Sequence, residues 1–109
     1  MEDHHRTPSL TVRPLEGGRG VRAAGEIGLA THTIWERALE QAVREGEAVY
    51  QLELSEVTFV DVAGTGALAA AAGRLGEGRR FVVRRPPPAL CRVLETFWPG
   101  LSTIEVSMS

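Results

Sequence analysis

The amino-acid sequence predicts an α/β domain built on a small mixed β-sheet, with the order β-β-α-β-α-β-α-β and the helices packed on the sheet. Two alternating segments flank a glycine-rich turn near the start of the chain, which is typical of an antiparallel hairpin. Strand-like and helix-like segments then alternate, and this favours parallel strands joined by helical crossovers. A length of 109 residues fits one domain. We therefore expect a flexible tail over 1–8 and a single domain over 9–109.

The hairpin is predicted from polarity alternation and turn composition. Residues 9–15 alternate between apolar and polar side chains, and Pro14 favours a strand at the edge of a sheet. Three glycines lie within the turn at 16–20, where glycine adopts positive φ angles at little cost. Residues 21–27 then form the returning strand.

The first helix is predicted to begin at Thr31 or Thr33, since Thr33 and Glu36 have the spacing of a capping box. Gly46 is the expected end of this helix. Its predicted buried stripe consists of Ile34, Ala38, Leu39, Ala42 and Val43. The later elements are predicted as a strand over 49–54, a short apolar run over 57–60, an alanine-rich helix over 63–75, a strand over 79–85, a helix from Pro88 and a strand over 102–106.

Composition argues against several classes of protein. The net charge of −2 provides no basic field for a nucleic-acid backbone. No apolar run reaches the roughly 18–20 residues of a membrane helix, and the polar N-terminus lacks a signal core. Cys91 is the only cysteine, so we expect no intrachain disulfide, an inert buried thiol and a cytoplasmic location. His4 and His5 are adjacent, and no metal site is expected from them.

The junction between the third strand and the second helix is the candidate functional segment. Asp61 follows the apolar run and can cap the helix, whose N-terminus favours an anion. Gly64 and Gly66 either let another molecule's backbone approach or only ease internal packing. An enzyme needs convergent acid, base or nucleophile groups, and one carboxylate with the hydroxyl of Thr65 does not supply them. The glycines match neither a P-loop nor a dinucleotide fingerprint, so we expect no catalysis, cofactor or metal.

Three segments carry a resemblance to a known family. They are residues 25–31 (GEIGLAT), 52–61 (LELSEVTFVD) and 61–68 (DVAGTGAL). In these segments and in their spacing, the chain from Ser9 to Val106 resembles the STAS domain family of anti-sigma-factor antagonists. The resemblance implies a STAS-like fold and a non-enzymatic partner-switching protein. Its relatives bind an anti-sigma factor that is also a serine kinase, and so control transcription.

The sequence departs from the family pattern at the phosphorylated position. The family's acceptor Ser or Thr precedes the loop glycine, where this chain has Ala63, and Val62 precedes it. Thr65 is the remaining hydroxyl and the alternative phosphoacceptor, although its side chain is rotated about 200° from that of Ala63 on a helix. The resemblance implies a partner-binding surface beside the loop after Gly25. Its predicted residues are Asp61, Val62, Ala63, Gly64, Thr65 and Gly66.

Other interpretations remain open at this point. The domain is alternatively a module that holds a nucleotide or small anion at the same helix end, or a subunit of a stressosome-like or lipid-transport assembly. Arg79-Arg80 and Arg84-Arg85 are either solvated strand ends or part of a surface for an acidic partner. A homodimer is also compatible with the sequence, and the identities of the partner and the sigma factor are left open.

Overall fold

Five strands form one mixed sheet in the order β1-β2-β3-β4-β5 in the computed structural model, which describes residues 7–109. The β1–β2 pair is antiparallel, and the three later pairs are parallel. The predicted fold class and element order are therefore confirmed. The strands are β1 (Leu10–Pro14), β2 (Gly20–Ile27), β3 (Val49–Val60), β4 (Arg80–Arg84) and β5 (Ile104–Ser107).

Three α-helices connect the parallel strands: α1 (His32–Glu45), α2 (Val62–Gly73) and α3 (Pro88–Phe97). Right-handed crossovers between strands that follow one another across the sheet place all three helices on the same face. That face carries the core side chains of the sheet, among them Leu10, Ala23, Ile27, Tyr50, Leu52, Phe81 and Val83. We call the other side the open face, and its central residues are Arg13, Arg22, Gln51, Glu53 and Arg84. Within residues 7–109, no helix is both long and apolar enough to cross a membrane.

The start of α1 matches one of the two predicted positions, because Thr31 is its N-cap residue and the helix begins at His32. A short 3₁₀ turn over Leu29–Thr31 precedes the helix, and Thr33 already lies inside the first turn of α1. The predicted capping box of Thr33 and Glu36 is therefore wrong. The hydroxyl of Thr31 instead donates to the Glu26 carbonyl at 2.6 Å and accepts from the Gly28 amide at 3.0 Å. The Thr31 side chain thus fixes the loop before the helix and makes no capping hydrogen bond to α1.

The buried side of α1 is also rotated from the predicted stripe. Ile34 is 43% exposed, whereas Trp35 is completely buried together with Leu39 and Ala42. The indole Nε1 of Trp35 donates to the carbonyl of Gly64 at 2.9 Å. Burial of a large ring with its one polar group satisfied outweighs burial of a smaller aliphatic side chain. Trp35 therefore decides which side of α1 faces the core.

The remaining boundaries follow from packing that local patterns do not show. The two predicted pieces 49–54 and 57–60 form one continuous strand, since β3 pairs with β4 along its first half and with β2 along most of its length. Arg79 lies before β4, and its guanidinium donates to the carbonyls of Val43 and Glu47, each at 3.0 Å. It satisfies one carbonyl in the last turn of α1 and one just after the helix, whose C-cap residue is Gly46, as predicted.

Glu53 is a buried carboxylate on the open face. It is 3% exposed, and its Oε2 accepts from the Ser55 amide at 3.3 Å. The Nε atoms of Arg84 and Arg85 each lie 3.7 Å from a carboxylate oxygen of Glu53. Burial opposes ionisation, but the hydrogen bonds from Ser55 and the two arginines outweigh it and hold the pKa of Glu53 below its ordinary value of 4.5. Glu53 is therefore ionised at neutral pH.

We predict that Glu53→Gln destabilises the fold at pH 7 and that the deficit shrinks as the pH falls below about 4.5, the ordinary value for Glu53. A carboxylate with a pKa lowered by folding stabilises the fold above its unfolded pKa, and this contribution disappears through the folded pKa. Urea denaturation between pH 7 and pH 3 measures the difference. Glu105→Gln, at an exposed carboxylate bonded to Arg80, is the control and has a small effect throughout. A deficit independent of pH would contradict the assignment.

We predict that Trp35→Phe lowers the free energy of unfolding by about 2–3 kcal/mol, because it removes the indole hydrogen bond to the Gly64 carbonyl and opens a small cavity. Trp98→Phe is the matched control, since Trp98 is only half-buried. Chemical denaturation of both variants gives the comparison. Equal losses in the two variants would mean that the indole hydrogen bond contributes nothing specific.

Candidate functional site

Two loops meet at the carboxyl ends of β2 and β3. Ile27 and Val60 are register partners at the ends of these strands, so Gly28 and Asp61 leave the sheet side by side. The Asp61 amide donates to the Ile27 carbonyl at 3.0 Å. A Cβ added to Gly28 would lie 3.3 Å from the Phe59 ring and 3.9 Å from Asp61 Oδ2. The loop before α1 and the start of α2 therefore form one surface, as the sequence predicts.

Asp61 caps α2 as expected. Its backbone is extended, and its Oδ1 accepts from the Gly64 amide at 2.7 Å. Its carbonyl accepts from the Thr65 amide at 3.1 Å and so begins the helical hydrogen bonds. A cap of this type stabilises a helix by about 1 kcal/mol. The carboxylate also places a negative charge at the helix N-terminus, where the partial positive charge of the helix favours it.

Gly64 is buried, and the expectation that it offers open backbone to another molecule is wrong. A Cβ at this position would lie 2.6 Å from Ile27 Cγ2, closer than real side-chain contacts. The missing side chain lets α2 pack directly on β2, while the Gly64 carbonyl accepts from Trp35. Gly66 is half-buried, and its Cβ would lie 3.4 Å from the Trp98 ring. Gly64 therefore serves internal packing, whereas a side-chain carbon at Gly66 would make only an ordinary contact with Trp98.

Thr65 is completely buried on the same side of α2. Its Oγ1 donates to the Asp61 carbonyl at 3.1 Å, within the first turn of the helix. A kinase cannot reach this hydroxyl while the helix is folded. The geometry therefore argues against Thr65 as a phosphoacceptor and favours the bond to backbone that a threonine commonly makes there.

The accessible part of the site is apolar. Val62 is 54% exposed, and Ala63 beside it is also exposed. Leu29 and Phe59, which are 93% and 51% exposed, extend this surface from the neighbouring loop and strand. We call these four residues, Leu29, Phe59, Val62 and Ala63, the apolar rim. Exposed large apolar side chains grouped in this way are typical of interaction surfaces.

Leu29 and Phe59 are the functional candidates that sequence reasoning missed. Phe59 lies in the apolar run 57–60, which reads as buried, but Val57 and Val60 alone face the core. Leu29 follows Gly28 in an irregular segment, where periodicity gives no signal. A cavity of about 350 Å³ lies between them and is also lined by Pro8, Glu26, Gly28 and Ala30.

The site offers little reactive chemistry. Asp61 uses Oδ1 to cap the helix, and the nearby hydroxyl of Thr65 is bonded to backbone. In the described part of the chain, no three metal-ligating side chains are grouped together. The thiol of Cys91 lies in α3, half-buried, and burial together with Glu95 raises its pKa. The exposed side chains at this site are therefore apolar, and its two polar side chains are used in hydrogen bonds to the backbone.

Comparison with known proteins identifies relatives of the whole domain. A family model described as "Mlab, STAS domain" matches residues 13–98. A crystal structure of an anti-sigma factor antagonist from Mycobacterium paratuberculosis is similar, with 27% sequence identity and a TM-score of 0.73. The match covers 94% of this chain and 87% of that one. A comparison with curated proteins found no significant match.

We predict that Gly64→Ala lowers the free energy of unfolding by about 1–3 kcal/mol, because the new methyl group overpacks against Ile27. Gly73→Ala is the matched control in the same helix, since nothing lies within 4 Å of its added Cβ. This control is expected to be stabilised by about 0.5 kcal/mol, because alanine has the higher helix propensity. Thermal and urea denaturation measure both variants.

A double-mutant cycle identifies the contact responsible. Ile27→Ala removes the methyl group that the new Cβ meets, so Gly64→Ala is expected to cost less in that background. Additive effects of the two changes would show that Gly64 is required for another reason.

Proposed function

Because the chain belongs to the STAS domain family, we propose that it is a non-enzymatic interaction domain that binds a protein partner through the apolar rim. The observation that carries this proposal is the exposure of Leu29, Phe59 and Val62 around a rigid helix start. Asp61 and the buried Gly64 hold that start in place. A preorganised apolar surface of this kind lowers the entropic cost of association.

The proposed partner is an anti-sigma factor of the serine-kinase type, in a partner-switching control of transcription in the cytoplasm. Similarity to an anti-sigma factor antagonist over 94% of the chain supports this class of partner. The predicted binding residues divide into two groups. Val62 and Ala63 contact the partner. The other four residues, Asp61, Gly64, Thr65 and Gly66, hold the start of α2 in position.

The proposed complex lacks the usual switch. Ala63 lies on the exposed first turn of α2, where the family carries its phosphorylated Ser or Thr. A phosphate there would add about −1.5 to −2 charges beside the Asp61 carboxylate. Since Ala63 has no hydroxyl, the domain stays in a state equivalent to the unphosphorylated form. We therefore propose that it binds its partner constitutively.

The alternative of an anion held at the same helix end is less favoured by the geometry. The Asp61 carboxylate already accepts from the Gly64 amide and carries a negative charge. A bound phosphate or nucleotide would have to approach that charge without a nearby cation from the rim. A thermal-shift screen with nucleotides and phosphate tests this alternative, and a specific shift would support it.

We predict that Ala63→Glu abolishes partner binding, because it places a charge on the rim that the partner's apolar surface cannot solvate. Binding to the anti-sigma factors of the same organism is measured by isothermal titration calorimetry. Ala70→Glu is the matched control, since Ala70 is an exposed alanine farther along α2. It is expected to bind within about twofold of the unaltered protein. Equal binding by the Ala63→Glu variant would place the partner surface elsewhere.

We predict that Ala63→Ser restores phosphorylation by a partner that is a serine kinase. Intact-mass spectrometry after incubation with kinase and ATP should show one phosphate on this variant and none on the unaltered chain. Phosphate on the unaltered chain would show that another hydroxyl serves as the acceptor.

A further inference from the structure

One row of charged residues crosses the open face. Arg13 on β1 is the register partner of Arg22 on β2, Arg22 of Glu53 on β3, and Glu53 of Arg84 on β4. Register partners project from the same face of a sheet, and neighbouring strands lie about 4.8 Å apart. The row therefore places three arginines and one carboxylate along about 14 Å. We call these four residues the arginine row.

The row carries an excess of positive charge. The Glu53 carboxylate is buried and already interacts with Arg84 and Arg85. Arg13 and Arg22 face each other directly, and like charges in such cross-strand pairs are destabilising. Neither of these two forms an ion pair with a carboxylate of residues 7–109. This local excess contrasts with the net charge of −2 for the whole chain.

A groove runs beside the arginine row under the β1–β2 turn. Its cavity volume is about 650 Å³, and its lining consists of Pro14, Leu15, Glu16, Gly17, Arg19, Arg22, Gln51 and Arg84. Arg84 donates to Gln51 Oε1 at 3.3 Å, which holds its guanidinium over the groove. Leu15 is half-buried and adds an apolar wall. The groove thus combines guanidinium donors with a small apolar contact.

We propose that this groove binds an extended acidic segment of a protein partner. Carboxylates two or three residues apart in an extended chain are about 7–10 Å apart, which matches the spacing of charges along the row. Arginine suits them because its planar guanidinium forms paired hydrogen bonds with a carboxylate. The charge is spread over an open groove, and this fits a segment better than a single compact anion.

A long polyanion fits the surface less well than a short acidic segment. Exposed Glu16 lies at the groove, and exposed Glu56 lies farther along β3, opposite Ala24. These carboxylates, together with the negative net charge of the chain, repel a nucleic acid or an anionic membrane that extends past the row.

The groove is independent of the apolar rim. It lies on the open face, whereas α2 packs on the other face of the sheet. Glu53 and Val60 also pair with Arg22 and Ile27, which are five residues apart on β2, or about 17 Å at 3.3 Å per residue. Both surfaces can therefore be occupied at the same time, by two partners or by two parts of one partner.

The experiment measures binding of fluorescein-labelled hexaglutamate to the full chain by fluorescence anisotropy at low and physiological salt. Binding is expected to be saturable and to weaken with salt. Hexaglutamine, inorganic triphosphate, a twelve-nucleotide oligothymidine and vesicles containing phosphatidylglycerol are the comparison probes. Tighter binding of triphosphate, DNA or vesicles than of hexaglutamate would overturn the proposal, as would no binding of hexaglutamate.

Charge-reversed variants locate the site. Arg13→Glu with Arg22→Glu is expected to weaken hexaglutamate binding about tenfold or more, since attractive contacts become repulsive. Arg37→Glu with Arg92→Glu is the matched control, because it changes the net charge equally at exposed positions on α1 and α3. Its affinity is expected to fall less than about threefold. Equal losses in the two variants would show a net-charge effect and refute the site.

Circular dichroism shows whether the Arg13→Glu with Arg22→Glu variant folds. If it does not, the neutral double variant Arg13→Gln with Arg22→Gln is measured instead. It is expected to weaken binding about fivefold while retaining the fold, and unchanged affinity would again refute the site. The Ala63→Glu variant is expected to bind hexaglutamate normally. This separates failure of the groove from failure of the proposed rim.

Discussion

The close packing of α2 on β2 at Gly64 is the constraint on which the rest of the site depends. Only a residue without a side chain fits there, since an added Cβ would lie 2.6 Å from Ile27. The same residue accepts the indole hydrogen bond of Trp35, so one position joins α1, α2 and the sheet. Displacing α2 at this point would also move the Asp61 cap. The orientation of the helix start is therefore determined by the core.

This packing divides residues 61–66 into buried or half-buried residues that support the site and exposed residues that form its surface. Gly64 and Thr65 turn inward, while Val62 and Ala63, which directly precede them in the same turn, remain accessible. The support tolerates little change because Gly64 and Thr65 are buried in a close-packed interior. The exposed residues Val62 and Ala63 are apolar and carry no hydroxyl. Their side chains take no part in the packing of Gly64 against Ile27.

The two faces of the sheet have different roles because all the helices pack on one of them. The covered face supplies the core and directs the starts of the helices to the apolar rim. The other face has no apolar layer to bury, so charged side chains such as Arg22 and Arg84 occupy it. On this face the buried carboxylate of Glu53 lies beside Arg84 and Arg85, so the charged side chains there make specific contacts. A domain of this architecture thus presents two chemically distinct surfaces.

The sequence by itself determined the order of elements, the hairpin, the cap at Asp61 and the family, because each depends on residues close together in the chain. It did not determine the phase of α1, since only the tertiary contact between Trp35 and Gly64 selects that face. Nor did it show that Gly64 is buried or that Leu29 and Phe59 are exposed, because burial depends on what packs from elsewhere in the fold. The arginine row is likewise a product of strand register, which brings Arg13, Arg22 and Arg84 together from three separate strands.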